Sequence, residues 1–224
     1  NKRDTEATKA LIEGARNGAP LLKVMSWWAL ANLYPERTAL VRDAATRIAE
    51  GLTSEDPHLR NVAARALAEF DAPRDVVRPV LIKAFQDADP RVVGNAINAL
   101  AALGPEGLED IDEALSDPVA RHYVTLVIFR MGPKAAPAVP DLMEALQQAG
   151  ESDDDDAFHR EAHMALAAIG PDAVAAVPAL IESLASDERE VRGSAAYALG
   201  KIGPAAAEAI PALQARLDEL ESED

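Results

Sequence analysis

Four histidines and no cysteine set the chemistry open to this 224-residue chain. His159 and His163 stand four apart, about one helical turn, beside the acidic run Asp153 to Asp156, so both imidazoles could in principle reach one metal ion. Against that, the sequence HREAH lacks the glutamate placement of HExxH, and the acidic run lies in an insertion that reads as a solvated loop. His58 and His122 stand alone near helix starts, and no Gly-rich phosphate loop, GxSxG or Ser-His-Asp set occurs. Carboxylates are plentiful, but an acidic chain offers many accidental pairs. Without cysteine, disulfides, thiolate metal sites, CxxCH haem attachment and thiol nucleophiles all fall away. The expectation is a chain with no catalytic residue, no resident metal and no cofactor.

The elements that position these side chains are legible in the prolines. With Ala19, Asp56, Asp89, Asp117, Asp155 and Glu188 as anchors, spaced 37, 33, 28, 38 and 33 residues apart, thirteen of the fifteen prolines fall at three offsets. Pro20, Pro57, Pro90 and Pro118 follow an anchor by one residue; Pro35, Pro105, Pro133, Pro171 and Pro204 by sixteen; Pro79, Pro140, Pro178 and Pro211 by twenty-three. Asp-Pro suits a helix start, because the carboxylate accepts from free N–H groups and proline sits where its missing donor costs nothing. Each anchor therefore opens a first helix.

Eleven residues on stand Leu30, Leu67, Leu100, Ile128, Leu166 and Leu199, and fourteen on stand Leu33, Phe70, Leu103, Met131, Ile169 and Ile202. Together with small residues such as Ala63, Ala66, Ala195 and Ala198 they form one apolar helical face that lets neighbouring helices approach closely. Gly104, Gly132, Gly170 and Gly203, each followed by proline, end four of these helices. A second helix follows in each unit, with Leu142 and Leu146, Leu180 and Leu184, and Leu213 and Leu217 sharing a face at spacing four. Neither helix buries its stripe alone, so consecutive units must stack.

Segments such as DPHLRNVAARAL (56–67) and EVRGSAAYALGKIGPAAAEAIPAL (190–213) resemble HEAT repeats of the short PBS-lyase type, over about residues 5–217. The resemblance implies an all-α, right-handed α-solenoid of about six helix pairs plus an N-terminal half repeat. It would form one domain over 1–224, with a truncated terminal helix in 1–18, repeats near 19–55, 56–88, 89–116, 117–154, 155–187 and 188–217, and an acidic tail at 218–224. Relatives of this kind include scaffolds, adaptors, accessory subunits and a few enzymes. The family often places a basic residue four after the anchor, matched by Arg60, Arg121 and Arg192; Lys23, Val93 and His159 depart from it and break any regular Asp–Arg ladder. The paired His-Glu motifs of iron-dependent hydroxylases built from HEAT repeats are missing, Arg160-Glu161 being the nearest match. HEAT-like DNA glycosylases need a cationic concave surface; Trp27 and Trp28 match only their aromatic part. Phycobilin lyases share the repeat type, yet nothing here singles out their chemistry.

Charge and apolar exposure then point to function. Residues 1–60 carry nine basic and eight acidic groups, and residues 61–224 carry thirteen and thirty, which disfavours nucleic acid as a partner. Apolar runs fall far short of the roughly 18 residues of a membrane span. The helix over Val119–Met131 is apolar on almost every side: Val124, Val127, Ile128 and Met131 form its core stripe, while Leu126 and Phe129 project oppositely at about 100° per residue. Met164 and Tyr197 match Leu126 in the next units, Tyr123 lies at the edge, and Trp28 holds the same offset in the first unit. These six residues are the candidate partner-binding set, for another protein, with a basic one favoured by charge, or for a second copy. The expected role is a non-catalytic interaction scaffold or accessory subunit of a larger assembly. The alternative is a lyase-like or metal-assisted enzyme subunit using His159, His163 and nearby aspartates.

Overall fold

The computed structural model describes residues 2–108, 111–150 and 152–223, and among these every regular element is helical. Asn1, Asp224, the side chain of Asp153 and the side chains at 219–223 of the acidic tail lie outside the described residues. The chain divides into two compact units, Asn1–Gly107 and Leu108–Asp224.

The first unit holds α1 (Lys2–Asn17), α2 (Pro20–Leu33), α3 (Thr38–Glu50), α4 (Pro57–Leu67), α5 (Arg74–Lys83) and α6 (Pro90–Ala102). Helix α2 packs on α1, α3 and α4, α4 packs on α6, and α3 packs on α5, giving two layers of alternating helices. The second unit holds α7 (Asp112–Ser116), α8 (Ala120–Met131), α9 (Val139–Gln148), α10 (Asp153–Ile169), α11 (Val177–Ser183), α12 (Arg189–Ile202) and α13 (Ile210–Glu223). Here α10 lies between α8 and α12, and α7, α9 and α11 back them from the second layer. This is an all-α repeat fold.

Local chemistry explains the starts and stops. Asp56 and Asp89 each accept a 2.9 Å hydrogen bond from the backbone N–H two residues on, with Pro57 and Pro90 in the first turn. Asp117 Oδ1 accepts from the N–H groups of Val119 and Ala120, at 2.9 and 2.7 Å. At the other end Gly170 takes φ +75, a value L-residues avoid, and its N–H closes on the Leu166 carbonyl. The following segment Gly170–Ala176 is a 3₁₀ turn that feeds α11, so Pro178 enters at the first turn of the next helix.

The stripe eleven residues after the anchors is buried in all six repeats: Leu30, Leu67, Leu100, Ile128, Leu166 and Leu199. Each such side chain contributes about 1.5–3 kcal/mol through burial. Ala63, Ala96, Ala195 and Ala198 are fully buried, which is what close helix approach requires.

Three expectations change. Helix α10 starts at Asp153, capped by Ser152, rather than at Asp155, and Asp155 closes a reciprocal capping box with Ser152. The acidic run is thus a first helical turn, not a loop: carboxylates there meet the positive end of the helix. Leu33, the last residue of α2, is exposed rather than core, and Phe70 and Leu103 at the same offset are half-buried, whereas Met131, Ile169 and Ile202 are buried. In α13, Leu213 is half-buried and Leu217 exposed, its main packing being against the preceding turn Gly203–Ala209. Among the described residues one stretch, Asp154–Ser183, is apolar enough to cross a membrane by composition; it is broken by the turn at Gly170, and half of its most apolar window is buried.

Candidate partner-binding surface

Helix α8 can be apolar on both sides because only one side meets its own unit. Val124, Val127, Ile128 and Met131 face the core, while Leu126 and Phe129, three residues apart, remain 40% and 42% exposed. On α10, Met164 is 37% exposed, and on α12, Tyr197 is 48% exposed. Leu126, Phe129 and Met164 meet around one open groove of about 280 Å³, completed by Thr125, Arg160 and Glu161. The Thr125 hydroxyl donates to the Arg121 carbonyl at 2.7 Å.

The other expected residues sit apart from it. Tyr197 is outside the groove lining, with the Lys201 ammonium 5.2 Å from its ring centroid. Tyr123 is half-buried. Trp28 belongs to the first unit, half-buried, with its indole N–H buried and without a hydrogen-bond partner among the described residues.

A polar frame ties α8 to α10 near the starts of the two helices, beside the groove. Arg121, buried, donates to Asp155 Oδ1 at 3.0 Å and to Asp154 Oδ2, and its guanidinium lies 4.7 Å from the Phe158 ring centroid. His122 is not alone: Nδ1 is 2.7 Å from Glu161 Oε2 and Nε2 is 3.3 Å from Asp154 Oδ1. The Ser152 hydroxyl, and after it the Arg121 guanidinium, hold the Asp155 carboxyl down at about 2. In the first unit Arg60 clamps Asp87, two residues before the next anchor Asp89, at 2.6 and 3.0 Å and donates to the carbonyls of Ser54 and Glu55. Arg192 donates to the corresponding carbonyls, Ser186 and Asp187. Val93 and His159 interrupt the series; the His159 ring bonds within its own helix, Nδ1 to the Asp155 carbonyl at 2.7 Å.

His159 and His163 do not converge on a common point as ligands. Their rings meet edge to face at 6.2 Å between centroids, His159 Nδ1 is engaged as above, and His163 Nδ1 lies 2.9 Å from Ser194 Oγ. His163 is buried, and burial, then the neighbouring His159, pushes its pKa down to about 4. Among the described residues no group of three or more His, Cys, Asp or Glu is placed to hold a metal ion. Sequence reasoning missed Arg160, Glu161 and His122, because the contacts that place them run between repeats; the shared helical offset of Leu126 and Met164 was the only signal available.

Comparison with known proteins adds the following. A family profile described as HEAT repeats matches residues 44–128 and 139–224. The crystal structure of an engineered protein aligns at 22% identity over 89% of this chain and 58% of that one, with a TM-score of 0.45, so this chain spans less than two thirds of that one. A search of curated proteins returns no match.

Proposed function

The chain belongs to the HEAT-repeat family, and from that premise we propose that it is a non-catalytic protein-binding scaffold or accessory subunit that docks a partner on the α8–α10 face. The observation that carries this reading is the groove where Leu126, Phe129 and Met164, all exposed, converge over a helix pair locked by Arg121. Stacked repeats hold such side chains at fixed positions, so a partner meets a preorganised surface and little ordering entropy is lost on binding. Tyr197 and Tyr123 extend the contact along the same layer, and Trp28 provides a separate contact on the first unit.

The test is affinity capture at native abundance, comparing wild type with Leu126→Asp/Met164→Asp. A partner recovered at fixed stoichiometry by wild type and lost by the variant, at unchanged helicity and melting temperature, supports the reading. Equal recovery by both removes the groove from it.

A further inference from the structure

The occupant of this groove follows from the charge of the unit that carries it. Residues 1–107 hold fourteen Lys and Arg against fourteen Asp and Glu and are neutral, whereas residues 108–224 hold eight against twenty-four, so the whole formal charge of −16 resides in the second unit. The groove within that unit is apolar, and its two ionic lining residues are engaged, Arg160 with Glu190 at 3.3 Å and Glu161 with His122. At about 280 Å³ it falls just under the roughly 300–1,000 Å³ of small-molecule pockets, a size suited to the anchoring side chains of a macromolecule.

Four kinds of occupant can be ranked by charge. A second copy would set one unit of −16 against another, and nucleic acid or an anionic lipid surface would meet the same repulsion. A neutral apolar segment gains nothing from the field. A cationic segment gains from both surfaces, since exposed Asp154 and Glu190 and half-buried Glu161 stand on or next to the groove through the His122 and Arg160 contacts. The shape selects a helix: Leu126 and Phe129 on one helix and Met164 on its neighbour leave a furrow into which a third helix can lay a ridge of side chains.

We infer that the groove between α8 and α10 receives a cationic amphipathic helix of a partner protein, its apolar side chains on Leu126, Phe129 and Met164 and its Lys or Arg side chains among the surrounding carboxylates. This rests on the docking reading above.

The experiment measures fluorescence anisotropy of a labelled amphipathic peptide of about 18 residues, five helical turns, with a leucine face and a lysine face, against the full chain. A second peptide carries glutamine in place of lysine. The lysine peptide binds, the glutamine peptide binds about tenfold or more weakly, and Leu126→Asp/Met164→Asp loses at least about tenfold in affinity for the lysine peptide. The added carboxylates would strengthen a purely ionic contact, so that loss reads the apolar one. Equal binding of both peptides overturns the charge selection and leaves the docking reading standing. Undiminished binding of the lysine peptide to the variant overturns its placement in the groove. Absence of peptide binding together with self-association that the variant abolishes, seen by sedimentation, assigns the groove to a second copy instead. Absence of both overturns the inference and leaves the docking reading to the capture experiment above.

Discussion

Replacing His163 with glutamine removes the pH dependence that this residue imposes on stability. The imidazole is buried against α12, with Nδ1 at 2.9 Å from Ser194 Oγ, and its folded pKa lies at about 4 against 6.5 for the free side chain. The unfolded chain therefore binds the proton more readily than the folded one between these values. Stability from keeping the ring neutral is intact above about pH 6.5 and is lost as pH falls through the window toward 4. The full difference amounts to ~3 kcal/mol, and about 2 kcal/mol of it is lost between pH 7.5 and pH 5. In His163→Gln that part of the slope disappears, while the fixed cost of the substitution offsets every pH equally. Urea unfolding of wild type and variant across this range reads the difference of slopes, and NMR titration of the imidazole reads the folded pKa directly. Identical slopes, with a His163 midpoint near 6.5, would refute the burial argument.

Further outcomes follow from burial and backbone geometry. Leu166→Ala, at a fully buried position, costs about 2–5 kcal/mol by denaturant unfolding. Leu126→Asp with Tyr197→Asp, both at exposed positions, shifts stability by no more than about 0.5 kcal/mol per site, with the circular dichroism unchanged. Gly170→Ala forces a side chain to φ +75, ψ −136 and lowers stability by about 1–3 kcal/mol. Gly193→Ala lies inside helix α12, where the added Cβ meets nothing within 4 Å, and raises stability by about 0.5–1 kcal/mol; thermal melts of the two glycine variants should move in opposite directions.

The repeat was legible because it is written in local signals. Asp-Pro starts, Gly-Pro stops and the leucine or isoleucine eleven residues after each anchor concern contacts within one helix or with its nearest neighbour, and all six of those positions are buried. The outward projection of Leu126 and Phe129 also followed from the angle per residue alone. What escaped depends on distant pairing. Glu161 lies 39 residues from His122, and no periodicity names that partner. Ser152 as the helix start was not legible from the proline offsets, since it shows only in the reciprocal bonds it makes with Asp155. Leu33 failed because it is the last residue of α2, where burial depends on the connection that follows and not on helical spacing alone.

Salt separates the two roles of charge in the second unit. With −16 formal charges over residues 108–224, mutual repulsion opposes the compact state, whereas ion pairs such as Arg121 with Asp154 and Asp155 favour it. Screening weakens exposed interactions over a Debye length of about 8 Å at 0.15 M, but acts much less on Arg121, which is buried. Repulsion among exposed carboxylates is thus relieved before the buried clamp is weakened, and the melting temperature rises with added salt. Association with the lysine peptide moves the other way, because the attraction that favours it runs between exposed groups. Stability rising while affinity falls is the joint signature; a melting temperature that falls with salt would mean that the surface ion pairs, rather than the net charge, dominate this unit's electrostatics.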